Sequence, residues 1–323
     1  MITKRKGADG VKNRPSNKSK TADGSITRHA PWFVTANLAI PTISFFVFTV
    51  YLTIQMVVLS FQTMTIDGWA FCGFKNYVGT MKDFFIPGYE SNMALINSLK
   101  IWVWHMITTY PFAIFMSYVF FKKMPGNFAF RIIYMLPMVV PISVMTMVFT
   151  WALDPSIGFI HNALSAIGIH QPVESGGWLG NDSAFNTVMV YAFWSGAGGQ
   201  VLYFAGNMSR IPGEVIESAR LDGVGFWREL FQIVLPLIAP IINTLLVLNV
   251  GTVTGFWLPS SLLTNGGAKG YMAKTIAYKI MDTAYGSNAG LSSAMGVSFS
   301  LIMMPIVMGF RKLMDKLLPG VEY

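Results

Sequence analysis

The residues that could do catalytic or metal chemistry are few in this sequence, and they are not grouped. Its histidines are His29, His105, His161 and His170, and Cys72 is the single cysteine. This scatter does not give the close spacing of zinc ligands, and the sequence has no Gly-x-x-x-x-Gly-Lys-Ser/Thr loop that would hold nucleotide phosphates. We therefore expect no catalytic residue, no metal site and no bound cofactor in this chain.

Side chains that could bind a small solute occur instead within two apolar stretches. Hydroxyl and amide groups can hydrogen-bond to the hydroxyls of a sugar, and an aromatic ring can stack on its apolar face. The run from Ser195 to Gly199 consists of small residues, which in membrane spans serve helix packing more often than binding. In the first of these stretches, the residues predicted to contact a solute are Trp194, Gly196, Gln200 and Tyr203.

Composition indicates that these stretches cross a membrane. The chain is 53% hydrophobic and 12% charged, whereas a soluble domain carries about 25% charged residues. Six stretches are each long enough for the roughly 20 helical residues that cross a bilayer, and none contains Asp or Glu. We therefore predict an all-α polytopic membrane protein with six transmembrane helices, near 34–61, 97–121, 131–152, 184–208, 231–258 and 288–310.

The basic residues predict how the chain is oriented. Of the 23 Lys and Arg residues, 17 lie in segments that share one side of the membrane, if the six spans are correct. An excess of Lys and Arg marks the cytoplasmic side, so both termini are predicted to be cytoplasmic. Residues 1–30 are polar and basic and are predicted to be a disordered cytoplasmic tail, followed by a membrane domain over 31–323. The net charge of +8 is thus explained without a nucleic-acid partner.

The loop over 209–230 is the most informative polar segment. Pro212 is suited to the start of a helix and Gly223 to the residue just past its end. Between them, Val215, Ile216 and Ala219 are spaced for one apolar face. The loop is therefore predicted to contain a short cytoplasmic helix that packs into a groove on a partner.

This loop resembles the EAA signature of ABC importer permease subunits. The residues that match the signature are Glu217, Ala219, Asp222, Gly223, Phe231, Ile233, Leu235, Pro236 and Pro240. Ser218 stands where the family usually has a second alanine. In that family this segment is the coupling helix, which docks on the ATPase. The resemblance therefore implies ATPase-coupling roles for Glu217, Ser218, Ala219, Asp222 and Gly223. A loop helix that merely links two spans is the plainer alternative.

Two further segments resemble the carbohydrate-uptake, maltose-type branch of this family. They are the residues Phe130, Arg131, Leu136, Pro137, Trp151, Gly158 and Asn162, and the run from Leu263 to Gly267. Ala268 stands where a proline is usual in the second motif. The resemblance implies a type I ABC importer permease whose cargo is a sugar or oligosaccharide. It also implies that the second apolar stretch contacts the solute, through Asn249, Thr252, Thr254 and Phe256. We also expect Pro137 and Pro141 to kink the third span, because they lack backbone N–H groups.

The family resemblance also implies the partners of the chain. They are a second homologous permease subunit, two ATPase subunits that bind ATP and Mg, an extracytoplasmic solute-binding protein and the lipid of the bacterial inner membrane. The alternatives are an ATP-independent secondary carrier or scaffold, and an ABC importer for a polyol or glycerol phosphate. The absence of intramembrane carboxylates disfavours an ion-coupled carrier. The sequence does not fix the cargo.

Overall fold

A computed structural model describes residues 35–66, 68–169, 177–180, 183–264, 273–286 and 288–317. The predicted tail at 1–30 and most of the motif from Leu263 to Gly267 lie outside the described residues. By internal contacts the chain divides into two units, Met1–Gln55 and Met56–Tyr323.

The described residues are mostly helical, as predicted. π-helical turns occur at Phe46–Tyr51, at His105–Thr109 and at Leu230–Val234. The helices are α1 Thr35–Ser60, α2 Lys75–Phe85, α3 Glu90–Trp104, α4 Tyr110–Phe121, α5 Asn127–Val139, α6 Ile142–Ala152, α7 Phe159–Ala166, α8 Ala184–Met208, α9 Gly213–Leu221, α10 Phe226–Leu248, α11 Val250–Gly255, α12 Leu258–Thr264, α13 Ile276–Tyr285 and α14 Ala289–Leu317.

A small β-hairpin corrects the all-α prediction. Strand β1, Gln62–Thr65, pairs antiparallel with β2, Gly68–Phe71. The Asn76 side chain donates hydrogen bonds to the carbonyls of Ser60, at 3.0 Å, and Gln62, at 2.9 Å, and so fixes the start of the hairpin. Strands of four residues leave too short a pattern in the sequence to be recognised, which is why the prediction missed them.

The third predicted span is two helices rather than one. α5 and α6 meet at an angle of 110°, with Val140 and Pro141 between them in extended conformations. Pro141 has no N–H to continue the helical hydrogen bonds, and a residue before proline is driven away from the helical region. The prolines were expected to kink this span, and the chain does bend sharply at Val140 and Pro141, whereas Pro137 lies within α5.

Three described helices are long and apolar enough to cross a membrane, namely α1, α10 and α14, and a fourth crossing results if α5 and α6 count together. α8 matches the predicted span 184–208, but polar and small residues such as Gln200 and Gly196 make it less apolar. The fifth span was predicted to reach 258, whereas α10 ends at Leu248 and two short helices follow. Gly251, Gly255 and Pro259 disfavour a continuous helix there.

α8 forms the centre of the packing in the second unit. Trp104 Nε1 donates to the carbonyl of Met189 at 3.0 Å, and Ser117 Oγ donates to that of Val201 at 2.8 Å. α3 and α4 are thereby held along the length of α8. α5 packs on another side of α8, where Gly198 faces the backbone of Tyr134.

Replacement of Gly198 with alanine is expected to lower the free energy of unfolding by about 1–3 kcal/mol, because a Cβ there would collide with the Tyr134 carbonyl oxygen. Gly199 is the matched control, since the nearest atom to its Cβ position is Met138 Sδ at 4.0 Å. Gly199→Ala is expected to change stability by no more than about 0.5 kcal/mol. Thermal unfolding of both variants tests this, and equal midpoints would contradict the packing described here.

Candidate functional site

The predicted loop helix is present as α9, with the ends that the sequence indicated. Pro212 precedes its first residue, and Gly223 beyond its end has φ of +71°. The Val224 N–H bonds to the Ala219 carbonyl at 3.0 Å and the Gly223 N–H to the Arg220 carbonyl at 3.1 Å. This Schellman arrangement satisfies the last carbonyls of the helix and requires the left-handed conformation that glycine adopts readily.

One face of α9 packs onto the helix bundle. Ile216 and Ala219 are buried, and Ile216 belongs to an apolar cluster with Met208 and Leu230. Val215 was predicted to share this face, but its side chain is 36% exposed. The prediction failed because adjacent residues on a helix point about 100° apart, and the buried face is centred on Ile216.

The opposite face of α9 is open. Four of the five predicted coupling residues, Glu217, Ser218, Asp222 and Gly223, are exposed, whereas Ala219 is turned inward. Leu221 is 90% exposed among these polar neighbours. The result is a short, capped helix with carboxylates and one large apolar side chain on its exposed face.

A buried ion pair joins the start of α10 to the end of α4. Lys122 Nζ lies 2.8 Å from both carboxylate oxygens of Glu229, whose side chain is only 2% exposed. Beside this pair, Tyr118 donates a hydrogen bond to the Phe226 carbonyl at 3.2 Å, and the two rings pack at 4.8 Å between centroids. These contacts fix the chain just after α9 to the bundle.

A cavity of about 490 Å³ lies where α5 and α6 bend apart beside α8. Its wall is mainly apolar and aromatic, with a few polar atoms, as is usual for sites that hold small molecules. The lining residues are Ile101, His105, Pro137, Met138, Val139, Val140, Pro141, Ile142, Met145, Tyr191, Ala192, Ser195, Gly196 and Phe256.

The predicted solute-binding residues of α8 are placed differently from one another. Gly196 lines the cavity, whereas Trp194 packs in the apolar cluster behind it, with its ring 5.6 Å from that of Phe149. Gln200 lies one turn further along, and its buried Oε1 has no hydrogen-bond partner among the described residues. Tyr203 is 55% exposed and does not line the cavity.

The predicted solute-binding residues beyond α10 are also placed differently from one another. Phe256 lines the cavity, with its ring 6.5 Å from that of Tyr191. Asn249 is buried, at 3% exposure, just past the end of α10. Thr252 and Thr254 lie in α11, and their side chains are outside the described residues. The structure thus brings Gly196 and Phe256 together but does not collect all eight predicted residues around one space.

His105 is a further cavity residue, which was not among the residues predicted to contact a solute. Its Nε2 donates to the Ala192 carbonyl at 2.9 Å, and its buried Nδ1 has no partner among the described residues. A Cβ on Gly196 would overlap the imidazole ring, so the glycine is what makes room for it. Only the packing of α3 against α8 reveals this position.

A cluster of charges lies at the other end of the helices. Glu90 is paired with Lys274 and Lys279, and Lys274 also lies 2.8 Å from Asp282. Burial would raise the pKa of Glu90, but hydrogen bonds and charges from the two lysines outweigh it and lower the pKa below its ordinary value. Burial likewise opposes the charge of Lys274, yet hydrogen bonds to Asp282 and Glu90 raise its pKa. The cluster ties the start of α3 to α13.

Known proteins resemble this chain in sequence. It is 28% identical over 180 residues to the diacetylchitobiose uptake system permease protein NgcF of Streptomyces coelicolor. The matched residues cover 55% of this chain and 50% of that relative. The chain thus matches half the length of NgcF. It is 26% identical over 271 residues to the arabinooligosaccharides transport system permease protein AraP of Halalkalibacterium halodurans, covering 82% of each.

The structure also has a known counterpart. A crystal structure of a bacterial ABC transporter involved in the import of the acidic polysaccharide alginate matches with a TM-score of 0.73 and 22% identity, over 90% of this chain and 97% of that chain. This likeness confirms the predicted type of permease fold. A family model described as binding-protein-dependent transport system inner membrane component matches residues 109–322, which is more than half of the sequence. The chain therefore belongs to the family of binding-protein-dependent transport system inner membrane components.

Proposed function

We propose that this chain is the transmembrane permease subunit of an ATP-driven importer that moves a sugar or oligosaccharide. The observation that carries this proposal is the open face of α9, within a family of binding-protein-dependent transporters. α9 is capped at its end and anchored by Ile216, so it can transmit a displacement to the bundle. An ATPase subunit is the partner that this helix would engage, and ATP and Mg would be bound there.

Six membrane crossings and cytoplasmic termini form part of the proposal. The predicted spans correspond to α1, to α3 with α4, to α5 with α6, to α8, to α10 and to α14. Two arguments support the orientation: the excess of Lys and Arg places the loop over 209–230 in the cytoplasm, and an ATPase would meet α9 on that side. The remaining partners would be a second homologous permease and an extracytoplasmic binding protein.

The cavity beside α8 is the proposed passage for the cargo. Its lining contains the aromatic ring of Phe256, which can stack on a sugar, and the hydroxyl of Ser195, which can bind sugar hydroxyls. Among the residues that the structure describes, none that lines the cavity is Asp, Glu, Lys or Arg, which favours a neutral cargo over a phosphorylated one. NgcF and AraP, named for diacetylchitobiose and arabinooligosaccharides, support the same class.

Transport would proceed by alternating access. The extended break at Val140 and Pro141 separates α5 from α6, so the two helices can change their angle without unwinding. A ligand shifts such an equilibrium only if it binds one conformation more tightly than the other. Movement of α9 on ATP binding would favour one conformation from the cytoplasmic side. Docking of the loaded binding protein would favour one conformation from the opposite side.

Mass spectrometry of the proteins that co-purify with this chain in mild detergent tests the importer proposal. We expect an ATPase with a phosphate-binding loop and a second permease in the same complex. If the chain purifies alone, the coupling role of α9 has no partner, and an ATP-independent carrier becomes the better proposal.

A variant of the cavity tests the proposed passage. Phe256→Ala is expected to raise the KM for sugar uptake by about fivefold, since loss of a stacked ring is worth about 1 kcal/mol. Tyr203→Ala is the control, because Tyr203 is an exposed aromatic residue that does not line the cavity. Uptake by proteoliposomes measures both variants, and an equal KM for the two would argue against this cavity as the passage.

A further inference from the structure

A groove with basic and aromatic walls lies at the same end of the helices as α9. It encloses about 660 Å³ between the end of α4, the start of α5 and the end of α8. It is separate from the cavity at the bend of α5 and α6, and it shares no lining residue with it. Its walls include Phe120, Phe121, Lys123, Asn127, Phe128 and Arg131.

The positive charge of this groove is not neutralised within the described residues. Lys122, the neighbouring cation, is paired with Glu229 at 2.8 Å. Lys123 and Arg131 form no ion pair with an Asp or Glu that the structure describes; the Arg131 guanidinium instead lies over the Phe120 ring, 5.9 Å from its centroid. Two cations therefore remain available to one anion.

The backbone between α4 and α5 presents these groups to the groove. Lys123 has φ of +52°, a conformation that residues with a side chain rarely adopt, and Gly126 follows with φ of +85°. α5 then begins without a side-chain cap, so its first backbone N–H groups add positive potential near Asn127. This tight turn brings Lys123 and Arg131, on either side of it, to the same groove.

The surroundings of the groove are apolar and exposed. Phe128 is 80% exposed, Phe130 46% and Met124 44%. Exposed aromatic residues beside Lys and Arg are typical of the level where the hydrocarbon core meets the lipid headgroups. A soluble phosphate would use the cations but would leave these side chains in water, whereas a phospholipid would cover both.

We propose that this groove binds an anionic phospholipid of the cytoplasmic leaflet, with its phosphate held by Lys123 and Arg131 and its acyl chains against Phe128 and Phe130. The proposal rests on the proposed function in one respect, the orientation that places this end of the helices in the cytoplasm. Basic groups between helices on that side are suited to anionic headgroups. The lipid would bridge α4, α5 and α8 close to the Lys122–Glu229 pair.

Native mass spectrometry of the delipidated complex, titrated with phosphatidylglycerol, tests the site. The double variant Lys123→Gln with Arg131→Gln is expected to bind one lipid fewer per copy of the chain, with an affinity at that site weaker by about tenfold or more. The control removes Lys312 and Lys316 in the same way, since both are exposed cations on α14 outside the groove. Arg131→Lys keeps the charge and is expected to retain most of the binding.

Equal phosphatidylglycerol binding by the wild type and the double variant would overturn the proposal. Phosphatidylcholine bound as tightly as phosphatidylglycerol would also overturn it, as would displacement of the lipid by millimolar inorganic phosphate, which would indicate a soluble anion. The midpoint of thermal unfolding confirms that the variants are folded. The number of lipids bound to the chain can be measured whether or not an ATPase co-purifies. Failure of the importer proposal can therefore be distinguished from failure of the lipid proposal.

Discussion

Replacement of Glu229 with alanine is expected to lower the free energy of unfolding by about 3–5 kcal/mol, the cost of leaving one partner of a buried ion pair alone. Glu229 is 2% exposed, and both of its carboxylate oxygens lie 2.8 Å from Lys122 Nζ. The alanine variant would strand the ammonium group at a site where water reaches it poorly. It would also weaken the attachment of the start of α10 to the end of α4, where the contacts between Tyr118 and Phe226 would remain.

Asp315→Ala is the matched control for this prediction. Its partner Arg311 lies 3.9 Å away, and the two side chains are 58% and 71% exposed, so the loss is expected to be below about 1 kcal/mol. A second variant separates charge from packing: Lys122→Met combined with Glu229→Leu is expected to recover most of the stability, because it leaves no unpaired charge. Thermal unfolding in detergent measures all three, and a Glu229→Ala midpoint equal to that of Asp315→Ala would contradict the prediction.

Gly223→Asp is expected to reduce ATP-driven uptake by about tenfold or more while the permease remains folded. In this chain a Cβ at Gly223 would meet no atom within 4 Å, so the cost to the fold is limited to the strain of φ +71°, about 1 kcal/mol. The new carboxylate would lie beside exposed Asp222 on the surface proposed to meet the ATPase. A rise of about 1.4 kcal/mol in the activation free energy of transport is enough to lower its rate tenfold.

Gly225→Asp controls for added charge in the same loop. Gly225 also has open space around its Cβ position, but its φ is −75°, and it precedes the first residue of α10, where aspartate is a favoured cap. It is expected to retain uptake close to that of the wild type. Uptake and stimulated ATPase activity in proteoliposomes measure the two variants together. Normal values for Gly223→Asp would contradict the proposed coupling role of α9.

The loop over 209–230 shows how much of the candidate site could be predicted from sequence. Pro212 and Gly223 determine the ends of α9 through their own backbone preferences, so no distant contact is needed to place them. The side chains that α9 buries were harder to predict. Val215 and Ile216 are both apolar, and only the position of the bundle selects Ile216 for the interior.

The residues that line the cavity could be predicted from the sequence only in part. Gly196 and Phe256 could be proposed from residue type, but they are 60 positions apart and meet only because the segment between α11 and α12 packs beside α8 near the break after α5. His105 reaches the same cavity from the π-helical turn after α3, and no spacing in the sequence relates it to Gly196. Tyr203, of a residue type equally suited to a sugar, lies on the exposed side of α8.

The sequence by itself determined the membrane class, the places of most helices and the ends of α9, because hydrophobicity, proline and glycine act on the chain locally. Tertiary structure decided the 110° angle between α5 and α6, the pairing of Lys122 with Glu229 and the residues that line the cavity. These features join segments far apart in the chain, and their energies depend on how closely helices approach. Close approach is set by the packing of all the helices at once, which no single stretch of sequence specifies.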